Sequence, residues 1–122
     1  MNILDCFGEQ RVSQPSRAGM QVSEATQKFL THLKQVKNTS YTARYGAHHE
    51  FEKTEKYAKN LIKSAEKGDS RKALKSAEKM YSHSNKLFPM IENCFNRQAM
   101  SVVKNDRSEI TDIFLHHKFS LQ

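Results

Sequence analysis

His48 and Glu52 stand four residues apart on a stretch that also holds His49 and Glu50. On a helix that spacing turns both side chains to one face, the arrangement by which helical bundles collect ligands for a pair of metal ions. A metal site needs its full set of donors. The remaining histidines are His32, His83 and the adjacent His116 and His117, and none of them repeats the spacing. As phosphoacceptors His48 and His49 are poorly placed, because Glu50 and Glu52 set carboxylates where a phosphoryl donor would approach. We expect surface histidines and no bound metal.

The thiols point no further. Cys94 lies between Ile91 and Phe95, where a small core residue fits, and Cys6 has no histidine or cation cluster near it. Two cysteines outside any CxxC pattern make neither a disulfide framework nor a zinc site, which suits a reducing compartment. Gly68 lacks the companion glycines of a phosphate loop. The reading therefore assigns no catalytic residues and no cofactor.

Lysines are the more numerous candidates. Lys53, Lys56, Lys59, Lys63 and Lys67, followed by Lys72, Lys75 and Lys79, form a comb, with Tyr41, Arg44 and Tyr45 at its far end to stack or clamp. Glu50, Glu52, Glu55, Glu66 and Glu78 are interleaved with it. Net charge is +7 and the pI is near 9.5, which suits nucleic acid or an acidic protein surface. The excess is diluted along the chain: residues 41–80 hold ten basic and six acidic side chains. A mixed run of this kind reads first as a solvated helix face.

The elements that must position these groups are helical. Of 122 residues only six are Gly or Pro, and runs of β-branched residues are short. Residues 1–21 mix Gly8, Pro15 and Gly19 without periodicity and read as an arm, flexible or docked by Ile3, Leu4 and Phe7. Residues 22–122 read as the folded body. Ser23 is placed to cap a first helix carrying Val22, Ala25, Phe29, Leu33 and Val36, ending near residues 38–40. A second begins around residues 39–42, with Gly46 loosening its start, and carries Ala47, Phe51, Thr54, Ala58, Leu61 and Ala65.

The sequence KSAEK occurs at residues 63–67 and again at 75–79. Gly68 suits a left-handed helix C-cap and Asp69 or Ser70 an N-cap, so the two copies flank a helix corner. A third helix then carries Leu74, Ala77, Tyr81, Ser84, Phe88 and Ile91, and keeps its phase past a kink at Pro89 as far as Val102. Lys104-Asn105-Asp106 reads as a turn and residues 106–109 as a capping box opening a short last helix with Ile110, Ile113 and Phe114.

These elements make an all-α chain, a compact antiparallel bundle of three to four main helices built on a long hairpin. Tyr57, Met80, Leu87, Met90 and Met100 fall beside the stripes, a surplus that either closes the core or meets a partner or a second copy of the chain. We expect a soluble, cytoplasmic, non-enzymatic module that binds an acidic protein. Its contact residues by this reading are Tyr41, Arg44, Tyr45, Lys56 and Tyr57. The alternative is a basic helical nucleic-acid-binding protein, using Lys56, Lys59 and Lys63. No segment approaches the length of a membrane span.

The Lys/Asn/Ser-rich helical character and the ending Phe114-Leu115-His116-His117-Lys118-Phe119-Ser120-Leu121-Gln122 resemble the small accessory and effector proteins that intracellular bacteria such as Legionella send through a type IV secretion system. In size and expected fold the chain is similar to the small helical inhibitor of the MavC and MvcA ubiquitin-modifying effectors. The resemblance implies secretion into a host cell and a non-enzymatic protein that binds a bacterial effector enzyme and restrains it.

Overall fold

Apolar residues recurring at spacings of three and four give each helix one buried stripe, and four such stripes meet in a single core. The computed structural model describes residues 16–38, 46–92 and 97–117. They form α1 (Arg17–Asn38), α2 (Gly46–Glu66), α3 (Ser70–Ile91) and α4 (Arg97–His116). The described residues contain no strand, and no helix among them is long and apolar enough to cross a membrane. The helices run antiparallel in chain order. α2 packs along α1 and α3, and α1 also packs along α4.

On α1 and α2 the expected stripes are the buried ones: Val22, Ala25, Phe29, Leu33 and Val36 face Ala47, Phe51, Thr54, Ala58, Leu61 and Ala65. On α3 the buried face is rotated. Ala77, Ser84, Phe88 and Ile91 are buried as expected, but Ala73, Met80 and Leu87 join them, while Leu74 and Tyr81 are only half-buried. Met80, Leu87 and Met100 therefore belong to the core, and of the expected apolar surplus Met90 remains exposed.

The corner after α2 follows from turn chemistry. Gly68 has φ 73°, a left-handed conformation that costs a residue with a Cβ roughly 1–2 kcal/mol. Its N–H donates to Ala65 O at 3.1 Å and the Asp69 N–H to Ser64 O at 2.9 Å, which satisfies two of the last carbonyls of α2. The Asp69 carboxylate then accepts from Lys72 N at 3.1 Å and caps α3. Two helices thus reverse direction within three residues.

Two boundaries differ from expectation. α1 opens at Arg17 rather than at Ser23, with Ser16 Oγ accepting from the Gly19 N–H at 3.0 Å. Ser23 is buried in mid-helix and donates to Glu66 Oε2 at 2.7 Å. Gly19 read as a breaker, yet it sits where α1 comes close against the backbone of α2: a Cβ there would lie 2.2 Å from the Ala65 carbonyl oxygen. The second difference concerns the last helices. α3 ends at Ile91, two residues after Pro89, and Glu92 caps it by donating its N–H to Phe88 O. α4 then runs unbroken through residues 104–106, where a turn and a capping box were expected. Asp106 is buried against α1 instead, and that tertiary contact outweighs the local turn preference of Asn-Asp.

One core position is imperfect. Thr54 is fully buried and its hydroxyl has no hydrogen-bond partner among the described residues, whereas Thr26, equally buried, donates to Val22 O at 2.7 Å. Thr54→Val keeps the shape and removes the unpaired hydroxyl, so it should raise unfolding stability by about 1 kcal/mol in urea titrations. A loss of the same size would mean that the hydroxyl is paired.

Candidate functional site

One cleft collects lysines without the glutamates interleaved with them in sequence, although its Lys63 also borders a concavity lined by Glu52 and Glu55. Along the outer side of the α2–α3 corner runs a cleft of about 340 Å³, walled by Lys63 and Lys67 on α2 or just beyond it and by Lys72, Lys75 and Lys79 on α3. Asn60, Ser64 and Ser76 complete the lining, Tyr57 lies at one end and Asp69 at the other. All five lysines are exposed. None makes an ion pair with a described residue; the lysine ion pairs found there involve Lys28, Lys37 and Lys104.

The acids that interrupt the comb are engaged elsewhere. Glu50 meets His83 Nδ1 at 2.7 Å, Glu55 meets Lys37 at 3.0 Å, Glu66 accepts from Ser23 and Glu52 meets His48 at 3.2 Å. Glu78 turns to a different groove, lined also by Leu74, Tyr81 and Phe114. Helical spacing alone does not sort them, since Glu52 with Lys56, Glu55 with Lys59 and Lys63 with Glu66 stand three or four apart; the partners that hold the carboxylates do. Asp69 is the one acid in the cleft, and its carboxylate is taken up in capping α3. A second concavity of about 610 Å³ continues along α2 past Lys56 and Lys59, but there Glu52 and Glu55 share the lining.

Of the expected contact residues, Lys56 and Tyr57 are brought to this face. Tyr57 packs against the core edge, its ring stacked on His83 with centroids 5.6 Å apart and planes 9° from parallel. Lys56 Nζ and Lys79 Nζ approach the same ring at 5.6 and 5.3 Å, close enough for cation–π attraction. The ring is thus occupied by the protein's own groups. Tyr41, Arg44 and Tyr45 lie outside the described residues, as do Cys6 and Cys94.

The histidines form local pairs. His48 and Glu52 make the contact their spacing allows, His49 meets the edge of His83 at 6.4 Å, and His116 and His117 stand edge to face at 4.8 Å. Among the described residues no three His, Cys, Asp or Glu side chains converge as a metal site would need.

Two polar clusters that sequence reasoning missed join α4 to its neighbours. Asp106, 4% exposed, meets His32 Nδ1 at 2.6 Å and lies 4.0 Å from Lys28, which pairs more closely with Glu109 at 2.8 Å. The hydrogen bond to Glu109 raises the Lys28 ammonium above its ordinary pKa. Across the α3–α4 seam, Arg107 Nη1 donates to Ser84 Oγ at 2.7 Å and to Asn85 Oδ1 at 2.6 Å, with its guanidinium over the Phe88 and Tyr81 rings. The Tyr81 hydroxyl donates to the Arg107 carbonyl and contacts the Thr111 hydroxyl. Burial raises the Tyr81 phenol and lowers the Arg107 guanidinium relative to their ordinary pKa values. The contacts of Asp106 and Arg107 join residues far apart in the chain, His32 and Asp106 by 74 positions and Asn85 and Arg107 by 22, and no local pattern announces them.

Compared with family models, with curated proteins and with solved structures, the chain matches none.

Proposed function

We propose that the chain is a non-catalytic binding module, an inhibitor, chaperone or adaptor, whose α2–α3 lysine face holds an acidic partner protein. The observation that carries this reading is the grouping of charge: five exposed lysines around one cleft, with Glu50, Glu52, Glu55 and Glu66 each meeting a partner other than these lysines and Glu78 lining a different groove. Like charges three and four apart on a helix destabilise it by a few tenths of a kcal/mol per pair. A partner's carboxylates would relieve that repulsion, speed encounter and fix orientation. The groups whose pKa values are displaced, Tyr81, Arg107 and Lys28, all serve contacts between helices and none lines the cleft. On the resemblance to secreted bacterial accessory proteins, the partner in this reading is an effector enzyme that the module restrains.

The test is capture of the partner from the native cell with nuclease present, followed by binding of the purified pair. Lys72→Glu with Lys75→Glu should slow association at least about tenfold at low salt while far-ultraviolet circular dichroism stays unchanged. Unaltered association by the double variant would remove the lysine face from the reading. Retention of nucleic acid alone, with affinity falling steeply as salt rises, would replace the acidic protein by a nucleic acid.

A further inference from the structure

The shape of the cleft restricts what can lie in it. Its two walls are antiparallel helices, so cations project from both sides at helical intervals. Lys63 and Lys67 are about 6 Å apart along α2, and Lys72, Lys75 and Lys79 cover about 10 Å along α3, at a rise of about 1.5 Å per residue. An extended peptide alternates its side chains between two sides, and side chains on one side recur at about 6.7 Å. The four-residue intervals, Lys63 to Lys67 and Lys75 to Lys79, come close to that repeat at about 6 Å, while Lys72 to Lys75 is shorter at about 4.5 Å. A short extended run of acidic residues laid between the helices would offer successive carboxylates to α2 and α3 in turn.

Other anionic shapes fit less well. A helix carries its carboxylates along one face at spacings of three and four rather than offering them to two sides in turn. Single-stranded nucleic acid is held on such surfaces by bases stacking on aromatic rings. The aromatic ring here, Tyr57, is already covered by His83, Lys56 and Lys79. The lining also lacks arginine, the side chain suited to planar, bidentate recognition. Lysine ammoniums act as mobile point charges, which tolerate carboxylates arriving at differing angles from a flexible segment.

From these observations we infer that the α2–α3 cleft binds an extended segment of about four consecutive Asp or Glu residues in the partner, its side chains alternating between the two lysine walls. The inference rests on the proposed acidic-partner reading and specifies which element of the partner is recognised. Asp69 sets one limit: its carboxylate closes the corner end of the cleft, so the acidic run stops short of it and continues toward Tyr57.

Two peptides with the same charge test the alternation. One carries four consecutive glutamates between serines. The other carries four glutamates separated by single serines, so that an extended chain turns all four to one wall. Each is titrated into the full-length, isotope-labelled protein at low salt, following amide resonances. The consecutive peptide should shift signals within residues 57–79 and bind about tenfold more tightly than the alternating one. Lys63→Gln with Lys67→Gln, and separately Lys72→Gln, Lys75→Gln and Lys79→Gln together, should each weaken it severalfold, because each set neutralises one wall. Equal affinity for the two peptides would overturn the two-wall inference, as would sensitivity to only one lysine set or tighter binding of an oligothymidylate of equal charge. If neither peptide binds while the purified partner still responds to Lys72→Glu with Lys75→Glu, the extended segment is wrong and the lysine face stands. If the partner is also indifferent, both readings fall.

Discussion

Gly19→Ala is expected to lower stability by about 3 kcal/mol, the upper part of the range for forcing extra atoms into a packed interior, and to reduce the melting temperature by roughly 10 °C. Local propensity argues for the opposite sign, since alanine in a helix interior is favoured over glycine by about 1 kcal/mol. The contact decides between them. A Cβ at this position would stand 2.2 Å from the Ala65 carbonyl oxygen and 3.3 Å from its carbonyl carbon, both backbone atoms that cannot rotate aside. Ala65 cannot retreat freely, because its carbonyl accepts the Gly68 N–H in the corner between α2 and α3. Moving α1 instead would stretch the Ser23 to Glu66 hydrogen bond one turn further on. Urea unfolding followed at 222 nm reads the sign directly, and a gain near 1 kcal/mol would show that the two helices do not approach so closely.

The second large effect concerns a buried carboxylate. His32→Ala should cost about 2–3 kcal/mol at neutral pH, because Asp106 keeps its burial but loses its 2.6 Å partner, leaving Lys28 at 4.0 Å as its nearest cation. An unsatisfied buried group carries its full desolvation penalty. Removing the carboxylate is gentler, since His32 is a third exposed and water can serve it. Asp106→Leu combined with His32→Leu should return to within about 1 kcal/mol of the parent, as apolar replacement of both members of a buried pair often does. The parent, His32→Leu, Asp106→Leu and the double variant form a double-mutant cycle, and a coupling energy near zero would deny the pair its role. Moderate salt should weaken the coupling only in part, because Asp106 is buried while His32 is a third exposed.

These residues also show what local sequence carries. The stripes of α1 and α2 were legible because each helix buries a narrow face and the period of 3.6 survives without interruption. The corner at Gly68 and Asp69 was legible because a left-handed glycine followed by a capping carboxylate acts within three residues. The start of α1 was misread because Gly19 answers to Ala65, a residue far along the chain, rather than to its neighbours. The α3–α4 boundary was displaced for the same reason: Asn105-Asp106 has turn chemistry, but Asp106 is held by His32. On α3 the expected stripe missed Met80 and Leu87 because Leu74 and Tyr81, one position after the buried Ala73 and Met80, are also apolar and keep the same period, so the pattern does not choose between the two phases.

The candidate site was half legible. Its lysines, with Lys56 and Tyr57, were visible as a series. Their separation from the interleaved glutamates depends on the relative rotation of two helices and on partners such as Lys37 and Ser23 that belong to a third. Charge pattern along a chain is one-dimensional, and the electrostatic face is a property of the packed pair. Tyr41, Arg44 and Tyr45 fall outside the described residues.

The ring of four helices is closed between its first and last members, through Lys28 with Glu109 and His32 with Asp106. In chain-entropy terms this is the longest loop the fold must shut: the length-dependent cost of joining residues 74 apart is about 4 kcal/mol from the logarithmic law. The α2–α3 hairpin closes across three residues. The hairpin can therefore form while the terminal helices are still free, and the α1–α4 seam is the last to assemble and the first to open. On that order, the stability lost in His32→Ala should fall mainly on the unfolding rate, steepening escape from the native state while refolding stays nearly as fast as in the parent. Slower refolding in stopped-flow experiments would place the seam in the folding nucleus instead.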